Sequence, residues 1–168
     1  MSKSLALTLV SALSAVVMTV FALIPRIHPR SENVAAFRPA YDWFVVVFAG
    51  FMAIVHAGII AFNLGYEFDV VRLILGAVAG LFYAVGTLLP RAKSNWFVGI
   101  RTPWTLSSDT VWDRTHDLTG RLFKLTAVVA VVGLLFDEYA VYVLVVPALV
   151  TTATAVAFSY YCFRRLER

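Results

Sequence analysis

The residue types that could carry chemistry gather in one stretch of this 168-residue chain, Asn95 to Lys124. It holds Ser107, Ser108, Asp109, Asp113, His116 and Asp117 with four basic residues, Arg101, Arg114, Arg121 and Lys124. A serine with a histidine and an acid suggests nucleophilic hydrolysis, but the spacing opposes it. On one helix Ser108 and His116 are separated by about 12 Å of rise, far beyond hydrogen-bond reach. Asp113, His116 and Asp117 could hold a divalent cation only if another loop supplied ligands such as His28, and no His-x-x-x-His or paired-carboxylate pattern accompanies them. The expectation is no catalytic residue, no metal and no cofactor. Arg101 stands out because it sits between Ile100 and Thr102-Pro103. There its planar fork could bind a lipid phosphate, a helix C-terminus or an aspartate of the same stretch.

Local signals order this segment. Thr102-Pro103 enforces extended backbone and ends any helix, and Gly99 lets the chain turn or approach another element closely. A helix is predicted to restart with Ser107 as N-cap, Asp109 in its first turn and Leu106 with Val111 at hydrophobic-staple spacing. At a hundred degrees per residue, Val111, Leu118, Leu122 and Leu125 form one stripe, expected to be buried. Asp109, Asp113, His116, Asp117 and Lys124 gather opposite, expected to be wet. Asp117 lies four residues before Arg121 and three after Arg114, so much of the charge can pair locally. Trp96, Trp104 and Trp112 suit a membrane interface that pins the loop, or else a ligand cage.

The remainder is apolar: 61% of residues are hydrophobic and 14% charged, with a mean hydropathy of +0.83. Long uncharged runs make this an integral membrane protein. The formal charge of +4 comes from basic residues bordering those runs, which is a topology pattern and not a nucleic-acid stripe. A single cysteine, Cys162, excludes an internal disulfide and a cysteine-based zinc site. Beside Arg164 and Arg165 it could accept palmitate, although a small apolar filler is the simpler reading.

The predicted architecture is all-α: one polytopic transmembrane domain over 1–168, a five-helix bundle with an ordered cytoplasmic loop-helix at 90–121 between spans 3 and 4. The spans are read at 5–24, 43–64, 70–89, 122–136 and 139–163, each near the length of about 20 residues that a bilayer requires. The first reads as a retained span instead of a cleaved signal. In the second, Ala49, His56 and Asn63 recur every seven residues, so the two polar side chains share a face turned from lipid; interhelical packing is favoured over a proton-responsive role. In the third, Gly76, Gly80 and Ala84 make a small-residue groove, preferred for packing within the bundle and available for an oligomer. The fourth is fed by the helix begun near Ser107. Pro147 in the fifth could kink it, with Thr151, Thr152 and Thr154 able to satisfy freed carbonyls. With this count, two basic residues fall on one side and twelve on the other. The positive-inside rule then places the N-terminus outside, and the C-terminus and both large loops in the cytoplasm.

The run Asn95, Trp96, Gly99, Arg101, Thr102, Pro103, Trp104, Ser107, Trp112 and His116, continuing to Gly120 and Phe123, resembles the signature of the SdpI family of bacterial multispanning membrane proteins. Pro25, Pro29, Arg30, Asn33, Phe37 and Tyr41 extend the likeness upstream. Longer members carry an extra N-terminal helix and polar domain before the region matching Leu5 to Ile24, and this sequence reads as a short form without them. The resemblance implies plasma-membrane immunity against a membrane-active peptide toxin, coupled in some members to signalling by sequestration of a cytoplasmic regulator, a transcriptional repressor. The implied partners are the bilayer, a toxin and that regulator, and not nucleic acid. Two alternatives remain: a membrane enzyme or transporter using Asp113, His116 and Arg101, and an accessory subunit packed through the third span.

Overall fold

The computed structural model describes residues 3–27 and 35–166, so His28, Pro29, Arg30 and Asn33 lie outside the described residues. The described chain is helical, without strands: α1 Lys3–Ile27, α2 Arg38–Asn63, α3 Val70–Leu88, a 3₁₀ turn Leu89–Arg91, the short α4 Pro103–Ser107, α5 Asp109–Gly133, a 3₁₀ turn Asp137–Tyr139 and α6 Ala140–Leu166. By length and composition, three helices can cross a membrane: Arg38–Asn63, Val70–Arg91 and Ala140–Leu166. The apolar part of α1, Ser11–Pro25, is shorter. The first half of α5 is charged, so α5 does not qualify on apolarity.

Element ends follow local chemistry. The α2 helix starts a turn earlier than the apolar run because Pro39 fits a first turn, and Arg38 pairs with Asp42 at 2.7 Å. It ends in a Schellman arrangement, with Gly65 at φ +93°, its amide donating to Phe62 and the Tyr66 amide to Ala61. Asp69 caps α3 by accepting from the Arg72 amide at 2.9 Å.

The α5 helix is central, packed between α3 and α6, while α2 packs on α3 and α1 on α2. One apolar cluster joins Ile24, Phe37, Tyr41, Leu88 and Ala92; a second joins Leu75, Ala79, Ala130, Ala140 and Leu144. Tyr41 donates its hydroxyl to the Phe21 carbonyl at 2.7 Å, tying α2 to α1. Outside these clusters Leu125, Val128, Val131, Leu135 and Leu149 are all exposed. So large an apolar surface is what a bilayer requires.

The small-residue groove of α3 is used in part. Ala84 is buried, and a Cβ on Gly76 would make ordinary contact with Leu134 at 3.6 Å, but one on Gly80 would meet nothing within 4 Å. The close approach is elsewhere, at Gly86 and Gly120. A Cβ on Gly86 would lie 2.6 Å from the Gly120 carbonyl oxygen, and one on Gly120 would lie 2.6 Å from Pro90 Cγ. In α6 the threonines do not serve the carbonyl that Pro147 frees, that of Val143. Thr151 instead pairs with Thr126 at 3.0 Å, and Thr152 donates to Ala148 at 2.9 Å.

His56 is half-buried in a groove of about 430 Å³ between α1 and α2, with Ala49, Ser14 and Met52. Asn63 turns back onto the Ile59 carbonyl at 2.8 Å. Cys162 is buried with a free thiol.

Candidate functional site

The loop from Ala92 to Thr102 folds around Asn95, which is fully buried. Its carboxamide uses every valence: Nδ2 donates to the carbonyls of Lys93 at 2.8 Å and Val98 at 2.9 Å, and Oδ1 accepts from the amides of Phe97 at 2.8 Å and Val98 at 2.7 Å. An asparagine satisfied this completely holds a turn that an apolar residue could not.

Two side chains of α5 then pin this loop. Trp112 is fully buried and donates Nε1 to the Ala92 carbonyl at 2.7 Å. His116, 1% exposed, stacks on Trp112 with ring centroids 4.0 Å apart. Its Nδ1 lies 2.8 Å from the Trp112 carbonyl, and its Nε2 accepts from the Ile100 amide at 2.9 Å. An amide can only donate, so Nε2 is the bare nitrogen and Nδ1 carries the proton. Burial pushes the imidazole down from 6.5 to about 4, against weaker upward pulls from the Trp112 carbonyl and the Asp113 charge. Gly99 makes this approach possible: at φ +121°, a Cβ there would lie 2.3 Å from His116 Nε2.

The other half of the motif is held by threonines. Thr102 caps α4 in a reciprocal box with Thr105, Pro103 occupies the first turn, and Thr105 Oγ1 reaches the Ile100 carbonyl at 2.8 Å. Trp104 donates Nε1 to Ser159 Oγ of α6 and meets the Tyr160 ring edge-on at 5.2 Å. Thr102 Oγ1 lies 3.4 Å from the same serine. The motif therefore joins the end of α3, the start of α5 and the end of α6.

Several expectations are corrected. The N-cap of α5 is Ser108, which accepts from the Val111 amide at 3.4 Å; Ser107 ends α4 and donates to the Trp104 carbonyl. The staple spacing of Leu106 and Val111 therefore does not apply. The faces of α5 are also reversed in part. Its buried stripe is Val111, Trp112, Thr115, His116, Thr119 and Gly120, whereas Leu118 and Leu122 are half-buried and Leu125 is exposed. In a bilayer, large apolar residues face lipid and small or hydrogen-bonding ones face the neighbouring helices. Trp112 is accordingly a core residue and not an interfacial anchor.

The charged groups stay at the rim. Asp113 lies 3.8 Å from Lys93 and Asp117 2.8 Å from Arg121. Arg101 is exposed and donates to the Trp96 carbonyl; of the three partners open to it from the sequence, the aspartate is not engaged among the described residues. Among the described residues no three metal-ligating side chains converge. Trp96 and Phe97 are exposed beside Arg101.

Thr105, Ser159, Thr119 and Gly86 are structural partners that sequence reading did not single out. The Thr102-x-x-Thr105 interval has capping-box spacing and could have been found. Ser159 is distant in the chain and carries no such signal.

Comparison with known proteins agrees with this picture. The chain is 29% identical over 107 residues to Immunity protein SdpI of Bacillus subtilis (strain 168), covering 62% of this chain and 51% of the relative. It thus spans about half the length of that curated relative. No solved structure matches. The SdpI/YfhL family model matches residues 91–161, from the end of the 3₁₀ turn after α3 into α6, and this match, which contains the whole motif, supports membership of the SdpI family.

Proposed function

We propose that this is an immunity protein of the plasma membrane that protects its cell against a membrane-active peptide toxin by binding, without chemistry. In this reading five helices span the bilayer, the N-terminus is outside, and the motif is a rigid cytoplasmic platform between spans 3 and 4. The supporting observation is how the family-matched region uses its polar residues. Asn95, Thr102, Trp112 and His116 are consumed in holding the loop, leaving Trp96, Phe97 and Arg101 on its surface. Exposed aromatics with an arginine are a composition suited to protein recognition. The same surface suits a cytoplasmic regulator held at the membrane as a second partner.

The enzyme or transporter alternative is disfavoured by His116, whose lone pair is occupied by the Ile100 amide and which is shielded from solvent. An oligomer through Gly80 and its neighbours on α3 fits the open space beside that glycine and belongs to the proposal. The deciding experiment expresses the chain in a toxin-sensitive cell and challenges it with secreted peptide toxins. Survival above that of cells expressing an unrelated multispanning protein is expected, and equal killing by every toxin would overturn the immunity reading.

A further inference from the structure

A cleft of about 620 Å³ opens where the start of α2 faces the end of α3. Phe37, Ala40, Trp43 and Pro90 give it apolar walls, and Arg91 and Lys93 stand at its margin. We propose that it binds one anionic phospholipid, with acyl chain against the apolar wall and phosphate between the two cations.

Three observations carry this. The cleft lies at the polar ends of two helices long and apolar enough to span, where Trp43, 43% exposed, has the amphipathic ring favoured at headgroup depth. Its charged lining is of one sign, and the nearby carboxylate Asp42 is already paired with Arg38. Both cations keep donors to spare. Arg91 uses one guanidinium nitrogen on the Thr87 carbonyl at 2.6 Å, and Lys93 has only an exposed contact with Asp113 at 3.8 Å. A basic pocket between membrane helices is a known form of anionic headgroup site, and this volume is of ligand size. The proposal requires only that α2 and α3 cross a bilayer and stands apart from the immunity reading.

The test is native mass spectrometry of the purified full chain in detergent, titrated with dioleoyl phosphatidylglycerol or dioleoyl phosphatidylcholine. The parent should retain one phosphatidylglycerol in preference to phosphatidylcholine. Arg91→Gln with Lys93→Gln should weaken this by about tenfold or more, since each cation adds independently to anionic binding. Arg91→Gln alone, at an exposed position, should show part of the loss if the double variant folds poorly. Ala36→Trp, which fills the cleft without changing charge, should also weaken it. Arg164→Gln with Arg165→Gln removes equal charge from the end of α6 and should leave it intact. Equal retention of both lipids, equal weakening by the α6 pair, or unchanged binding in Ala36→Trp would each overturn the proposal.

Discussion

The Ile100 amide donates to Nε2 of His116 at 2.9 Å, so the loop after α3 is fastened to α5 by an imidazole that must be neutral. A protonated ring would present a second N–H to that amide.

The pH dependence follows from the lowered value of about 4 in the folded protein against 6.5. Between those values the unfolded chain binds more protons, so the contribution of His116 is complete above about pH 6.5 and is lost as pH falls toward 4. The difference corresponds to roughly 3 kcal/mol. Amide exchange at Ile100 and melting in detergent should show loosening across that window in the parent. His116→Gln should lack this transition, and a parent insensitive to pH between 6.5 and 4 would show that the ring is not buried neutral.

Gly86 and Gly120 bring the backbones of α3 and α5 together. A Cβ on Gly86 would meet the Gly120 carbonyl oxygen at 2.6 Å and the Lys124 amide nitrogen at 3.0 Å, both backbone atoms that cannot rotate away. Gly86→Ala is expected to destabilise by roughly 1–3 kcal/mol through overpacking. At Gly80 the space is open, so Gly80→Ala should be neutral or slightly stabilising. Melting the two variants side by side checks the assignment, which fails if they shift alike.

These glycines also show where sequence reading stops. Gly76, Gly80 and Ala84 have the textual pattern of a packing groove, yet pattern alone cannot say which stripe of α3 faces α5. The helical class, three apolar helices long enough to span and the turn at Asp69 were legible because apolar runs and caps act locally. The orientation of α5 was not. Water-based amphipathicity assigned its leucines to the interior, whereas the interior is a seam of Thr115, Thr119, Thr126 and His116. Contacts such as Trp104 with Ser159 depend on chain folding over a long separation and leave no local mark.

Within that seam, Thr115 Oγ1 is buried without a hydrogen-bond partner among the described residues. An unsatisfied buried hydroxyl costs about 1–3 kcal/mol, so Thr115→Val, which keeps the shape, should be neutral or stabilising. Thr119→Val should instead destabilise, because it removes the bond from Thr119 to the Thr115 carbonyl at 2.7 Å. Comparing the two melts tests whether the hydroxyl is truly idle; a destabilised Thr115→Val would reveal a partner.

Orientation is testable without toxin. In a Cys162→Ala background, cysteines introduced as Glu67→Cys and Glu32→Cys should label oppositely with an impermeant maleimide in intact cells. The first is expected to react and the second to be protected, because the basic residues flanking the spans favour a cytoplasmic first loop, between spans 1 and 2, and an outside second loop. Reversed labelling would invert the topology.

The last prediction concerns Arg101, which holds the Trp96 carbonyl with one guanidinium nitrogen while the rest of its fork remains exposed. If that fork is what a partner reads, geometry matters as well as charge. Arg101→Lys should then lose protection nearly as fully as Arg101→Ala, since an ammonium offers a point charge and cannot bond its own loop and a bidentate acceptor in one plane. If Arg101 only contributes to orientation, both variants should protect normally, because many other basic residues on the same side remain. Membrane level and cysteine labelling separate a missing or inverted protein from an inactive one. Full protection by Arg101→Lys at normal membrane level would remove the specific-contact role, and amide exchange at Phe97 and Val98 in that variant would show whether the loop still holds its turn around Asn95.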